Sequence, residues 1–213
     1  MSEPKSILRA AFHQQLAEID STVIQLFAMV TDSLAAATDT FLSGDRENAL
    51  AIAGRDALVD QLNREVQEVV ERNLVLEAPV ASDLRYLLSV LRIVPEVERS
   101  GDLAEHIAKA AARGLGTRIP PKVRGMVEQM GSVGVDMWRA AANAFVERDG
   151  GAYVRLDALD DVLDDLHDQL SAELMSGSVP VAEAVEMGLV ARYYERLGDH
   201  AFHITERIRD MAT

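Results

Sequence analysis

Two carboxylates four residues apart, Glu98 and Asp102, recur nearly a hundred residues later as Glu195 and Asp199. The segments around them are EVERSGDLAEHI (Glu96–Ile107) and YYERLGDHAFHI (Tyr193–Ile204). They agree at seven of twelve positions: Glu98/Glu195, Arg99/Arg196, Gly101/Gly198, Asp102/Asp199, Ala104/Ala201, His106/His203 and Ile107/Ile204. On a helix, residues i and i+4 share a face, so each pair forms an acidic row that His106 or His203 extends by one turn. Carboxylate oxygens suit hard divalent cations such as Mg, Ca or Mn, and histidine adds affinity for Fe or Zn. Like charges at this spacing cost a helix about 0.2–0.5 kcal/mol. Gly101 and Gly198 each cost about 1 kcal/mol relative to Ala in a helix interior. Both copies carry both costs. A cation between acidic rows would remove the repulsion, and a glycine would let a neighbouring helix approach closely. The plain alternative is a solvated acidic rim, neutralised by Arg99 and Arg196.

The elements that must position these rows are helices. Apolar residues recur at three-to-four spacing, and no segment reads as a strand or hairpin. Helix one is expected from about Ser6 to Leu42, stopping at Gly44. Asp45 caps helix two, to about Leu76, and helix three opens after Pro79 and ends near Gly114–Gly116. The segment GLGTRIPP (Gly114–Pro121) is the strongest breaker in the chain. Helix four then runs to about Arg148, Gly150–Gly151 precede helix five, and Ser176–Pro180 precede helix six. The expected fold is all-α: two tandem, internally repeated antiparallel three-helix bundles, residues 1–116 and 117–213. Many of its six helices exceed about 25 residues, or roughly 40 Å at about 1.5 Å per residue.

The repeated motif sits on the third helix of each half. There the stripe Val90, Val94, Val97, Gly101, Ala104, Ala108 borders Glu98 and Asp102, and Tyr194, Leu197, Ala201, Ile204 border Glu195 and Asp199. The second helix of each half carries a looser match, DALVDQL over DDVLDDL, setting Asp56 over Asp160 and Asp60 over Asp164. In an antiparallel pair the two rows can converge along one edge of each bundle. Helix five offers two registers, Asp160/Asp164 or Asp161/Asp165.

Composition narrows the function. The chain has 213 residues, 48% of them hydrophobic, no cysteine and a net charge of −14. Disulfides and thiolate metal sites are excluded, and the negative field disfavours nucleic acid. No signal peptide and no run of about 20 apolar residues is read, so a cytoplasmic protein without a membrane span is expected. His13, His167 and His200 read as helix-surface residues, and Trp138 as core or interface. There is no phosphate-binding Walker loop, no dinucleotide-binding turn and no nucleophile with an evident base. A carboxylate-bridged metalloenzyme on a ferritin-like bundle would need Glu-x-x-His, which does not occur.

A duplicated E-R-x-G-D-x-A-x-x-I on the third helix of two three-helix bundles resembles the PhoU family. The likeness extends to FHQQLAEIDSTVIQLFAMV near the N-terminus and to SDLRYLLSVLRIV before the first motif. It implies an all-helical pseudo-twofold fold and a regulator without enzymatic turnover that shuts down phosphate uptake and phosphate-starvation signalling. The implied partners are the phosphate transporter ATPase subunit and a sensor histidine kinase, and the implied assembly is a homodimer. It also implies divalent metal ions (Mg, Mn, Fe or Zn) held by Asp56 with Asp60, Glu98 with Asp102, Asp160 with Asp164, and Glu195 with Asp199. His106 and His203 stand where the family usually has Asn, and are candidate extra ligands.

Overall fold

The computed structural model describes the main chain of residues 3–54 and 56–212, and side chains of 9–54 and 57–211. Its α-helices are α1 (Glu3–Ser43), α2 (Arg46–Ala53), α3 (Asp56–Leu76), α4 (Ala81–Ala112), α5 (Pro121–Glu147), α6 (Ala152–Met175) and α7 (Val181–Ala212). A single 3-10 turn, Leu115–Thr117, lies between α4 and α5, and no strand occurs among the described residues. The all-α, internally repeated arrangement is therefore as expected, with one difference. The helix expected from Asp45 to Leu76 is broken into α2 and α3. Asp45 caps α2 by accepting from the Asn48 amide at 3.1 Å, and Gly54 ends it with its N–H turned back to the Ile52 carbonyl. The short α2 buries Ala49 and Ile52 against α4, so packing rather than helix propagation sets its direction.

In the first half α1, α3 and α4 pack together. In the second α5, α6 and α7 do the same, and α4 against α7 and α1 against α5 join the two. Short connections make successive long helices antiparallel neighbours. The α4 stripe Val90, Val94, Val97, Ala104, Ala108 is wholly buried, as are Tyr194, Leu197, Ala201 and Ile204 of α7. Each large aliphatic or aromatic side chain so buried stabilises the fold by about 1.5–3 kcal/mol. Trp138 of α5 is also core, and its indole N–H donates to the Leu197 carbonyl at 3.0 Å.

The connection after α4 crosses the end of α1 at contact distance. A Cβ on Gly116 would stand 1.9 Å from the Phe41 carbonyl oxygen, so only glycine fits. Residues 9–43 of α1 are long and apolar enough, by length and composition, to cross a membrane. The sequence reading did not single this stretch out. Its apolar face, Ile19, Val23, Leu26, Phe27, Val30, Leu34 and Phe41, is buried in the core.

Candidate functional site

The acidic rows meet where the packing of α3 on α4 and of α6 on α7 brings them together. In the second half the meeting is close. Burial first, then the charges of Asp199 and Asp164, push the Asp160 carboxyl up to about 6. Asp164 is raised by burial and then by Asp199, and Glu195 by burial and then by Asp199. Burial and neighbouring charge thus hold Asp160, Asp164 and Glu195 towards the protonated state. Asp160 and Asp164 are the α6 acids on which the charge of Asp199 acts, the Asp160/Asp164 register of the row. In the first half, burial and the charges of Asp102 and Asp60 raise Glu98, which places Asp60 of α3 opposite the α4 row. Asp56 opens α3, and its side chain lies outside the described residues.

Gly198 is what allows this approach. A Cβ there would lie 2.5 Å from Leu163 Cδ2, 3.1 Å from Asp160 Oδ1 and 3.4 Å from the Met137 sulfur. The helix interior accepts a residue of poor helix propensity because α6 presses Asp160 against it.

Two oxygens on this edge have no hydrogen-bond partner: Asp160 Oδ1 and Glu195 Oε2, both buried. The other Glu195 oxygen accepts from Arg192. Unpaired buried acceptors carry a desolvation cost, and a cation is the partner that satisfies an acceptor-only group. The donor set is therefore chemically suited to a hard divalent ion. Among the described residues, no three His, Asp or Glu side chains have their donor atoms already gathered as around an ion. Binding would draw the carboxylates inward from the positions they hold.

The histidines divide differently from expectation. His106 is exposed; its Nδ1 lies 2.6 Å from the Asp102 carbonyl oxygen, and its ring lies 5.2 Å from that of Tyr193. With Nδ1 donating to that carbonyl, Nε2 is the free ligand atom. His203 is exposed near Asp160, whose charge it favours. His167, expected as a plain surface residue, is half-buried and favours the charge of both Asp164 and Glu195. Its spacing of three from Asp164 on α6 is the signal that could have found it.

His200 is a correction. It was expected on the surface and is buried, 7% exposed, at the contact of α7 with α4. Its Nδ1 lies 2.8 Å from Ser100 Oγ and its Nε2 lies 3.5 Å from Glu96 Oε2. The residue faces the other half of the chain because the two motif helices pack on each other, which spacing within one helix does not reveal.

The comparisons with known proteins agree with this duplicated geometry. The model of the PhoU domain matches residues 23–111 and again 127–208. The chain belongs to the PhoU family. It is 32% identical over 209 residues to the phosphate-specific transport system accessory protein PhoU homolog 2 of Mycobacterium tuberculosis, covering 97% of this chain and 98% of that one. It is 29% identical to the PhoU homolog of Synechocystis, covering 96% and 92%. The crystal structure of PhoU from Pseudomonas aeruginosa superposes with a TM-score of 0.88 at 24% identity, over 94% and 98% of the two chains. That from Streptococcus pneumoniae gives 0.85 at 24%, over 95% and 97%. These two likenesses establish the fold.

The PhoU chain also exposes apolar side chains at duplicated positions. Leu84 and Leu88 near the start of α4 correspond to Val181 and Val185 near the start of α7, and all four are exposed. Val75, Leu76 and Val80 flank the first pair, and Met175 flanks the second. These residues sit at the α3–α4 and α6–α7 turns, away from the core.

Proposed function

We propose that this chain is a PhoU accessory protein of phosphate-specific transport, a cytoplasmic negative regulator of phosphate uptake and phosphate-starvation signalling that works by contact rather than turnover. The carrying observation is likeness to proteins of that name over nearly the full length of both chains. In this reading the transporter ATPase subunit and a sensor histidine kinase are the partners. The exposed apolar residues at the paired helix turns offer them contact surface, because apolar side chains grouped outside a core favour association. A homodimer and the division of the chain near Gly116 into two half-units belong to the same reading.

The acidic edges are proposed to hold divalent cations. Asp160, Asp164, Glu195 and Asp199 form one edge, and Asp56, Asp60, Glu98 and Asp102 the other, with His106 and His203 as additional donors. The unpaired Asp160 and Glu195 oxygens support this assignment. Bound there, a cation would screen the mutual repulsion of the acids and tie α3 to α4 and α6 to α7. Mg or Mn suits the carboxylates, and Fe or Zn gains weight if a histidine joins.

The test is deletion of the gene in its host, followed by phosphate uptake and a starvation-promoter reporter in phosphate-replete medium. Uptake and reporter should both be high, and restored wild-type protein should return both to low values. Unchanged regulation in the deletion strain would refute the reading. Restoration by the Glu98→Ala, Asp102→Ala, Glu195→Ala, Asp199→Ala protein would separate regulation from the acidic edges.

A further inference from the structure

In a chain of net charge −14, one groove gathers bases. Between α4 and α7, a cavity of about 520 Å³ is lined by Arg92, Arg99, His203 and Arg207, with Glu96 as its one acid. Arg92 is exposed on α4 and has no ion-pair partner among the described residues. Arg99 pairs with Glu96 at 3.0 Å, and Arg207 reaches Asp210 only at 3.8 Å. The groove is open to solvent, yet it lies at the junction of the two halves rather than on a free helix face.

The duplication argues that packing does not require these bases. Where the groove has Arg92, Glu96 and Arg207, the matched positions of the other repeat are Leu189, Tyr193 and Ala110. There, Tyr193 stacks against His106. Two related helices cross in the same way on both sides of the axis; the matched side keeps Arg196 and His106 and has Arg192 where the groove has Pro95, so Arg92 and Arg207 are the bases particular to this groove. Like charges collected against the prevailing field of a protein cost energy unless an anion is present to receive them.

We infer that this groove binds a protonated tetrahedral oxyanion: inorganic phosphate or the phosphate of a small monoester. Arginine is the side chain suited to such a group, since its planar fork donates two parallel hydrogen bonds to phosphate oxygens. Glu96 then gives selectivity. A carboxylate can only accept, so it rewards an anion carrying an O–H and opposes one without. Inorganic phosphate keeps a proton at neutral pH and a monoester keeps one below its second pKa of about 6, whereas sulfate keeps none at either pH. Arg99 donates to Glu96 Oε1, which holds the carboxylate at the groove wall. The groove shares His203 with the second acidic edge but none of its carboxylates, and it stands without the regulatory reading above.

The test is equilibrium binding to the full chain at low ionic strength and pH 5.5, where both phosphates carry an O–H, with inorganic phosphate, AMP and sulfate as separate probes. Saturable binding of phosphate or AMP is expected, with sulfate at least about tenfold weaker, because a buried-side acceptor left facing an anion without a proton is strongly disfavoured. Phosphate binding alone identifies the free ion as ligand, and AMP binding alone identifies a monoester. The double variant Arg92→Ala, Arg207→Ala should weaken binding about tenfold or more, while Arg72→Ala on α3 should not. Glu96→Gln should bring sulfate close to phosphate. The proposal is overturned by no saturable binding at millimolar phosphate or AMP, by equal affinity for sulfate in the native protein, or by a double variant that keeps its circular dichroism and binds as before. The sulfate comparison needs no variant, so misfolding cannot shelter the idea.

Discussion

Ser100 and His200 meet across the molecule's internal symmetry, Oγ to Nδ1 at 2.8 Å, each within a different copy of the same motif. Ser100 Oγ also donates to the Glu96 carbonyl at 2.7 Å, so its hydrogen goes there and its lone pair faces the ring. His200 therefore carries its proton on Nδ1 when neutral, and burial holds its pKa below the ordinary value, against the opposing charge of Glu96. The unfolded chain takes up a proton near pH 6.5 while the folded one resists until lower pH. Stability from neutral His200 is then present above 6.5 and lost as pH falls. His200→Gln should flatten the acid side of the melting-temperature profile between pH 7 and 5. An unchanged profile would show that the ring titrates freely. Ser100→Ala leaves Nδ1 without its acceptor and should cost about 1–2 kcal/mol.

A second tie between the halves runs through Asp20. Its carboxylate accepts from Tyr86 Oη at 2.7 Å and from Arg148 Nη2 at 2.5 and 2.6 Å. Arg148 closes α5 at a φ of 55°, with its guanidinium 5.0 Å from the Tyr86 ring centre and 4.6 Å from that of Phe145. A left-handed arginine is retained because its head joins α1, α4 and α5. Arg148→Ala should lower stability by about 1–2 kcal/mol, or roughly 2–8 °C for a chain of this size. Arg148→Gly, free of the φ penalty, should lose no more than Arg148→Ala does. Chemical denaturation of the three proteins decides it, and a larger loss in the glycine variant would contradict the account.

What the sequence carried was periodicity. The stripes on α4 and α7 and the acidic rows beside them follow from i,i+4 spacing, and the duplication of Glu98–Asp102 as Glu195–Asp199 places them on matching helices. What it did not carry was contact between elements. His200 looked like any surface histidine until α7 was laid on α4. His167 looked isolated until α6 met Glu195. The break at Gly54 was hidden because a lone glycine inside a helical pattern is tolerated, and only the packing of Ile52 on α4 turns it into a corner. The basic groove combines Arg92 and Arg207, more than a hundred residues apart, and no local pattern unites them.

Gly198 sets the spacing of α6 and α7, so its replacement is a direct probe of that edge. The Cβ of Gly198→Ala would meet Leu163 Cδ2 at 2.5 Å and Asp160 Oδ1 at 3.1 Å. Leucine can turn aside, but the helix must also shift to spare the carboxylate. Overpacking of this kind costs about 1–3 kcal/mol, larger than the gain of about 1 kcal/mol that alanine brings to a helix. Net destabilisation by urea unfolding is therefore expected. A more stable Gly198→Ala would mean that the close approach is not required.

The acidic edge itself makes a prediction with a sign. Asp160 is raised to about 6 in the folded chain against 3.8 unfolded, and Glu195 and Asp164 are raised in the same sense. The folded state holds more protons than the unfolded one between these values, so this part of the stability falls as pH rises from about 4 through 6. At pH 7.5 without divalent cations, Asp160→Asn should stabilise the protein by about 1 kcal/mol once solvent screening of this half-exposed group is allowed for. The two proteins should converge near pH 4. Added Mn or Mg should raise the melting temperature of the parent at pH 7.5, and raise that of Asp160→Asn less, since a neutral amide is a poorer ligand than a carboxylate. A parent that melts identically with chelator and with millimolar Mn, while Asp160→Asn is more stable than either, would identify this edge as unrelieved repulsion rather than a cation site.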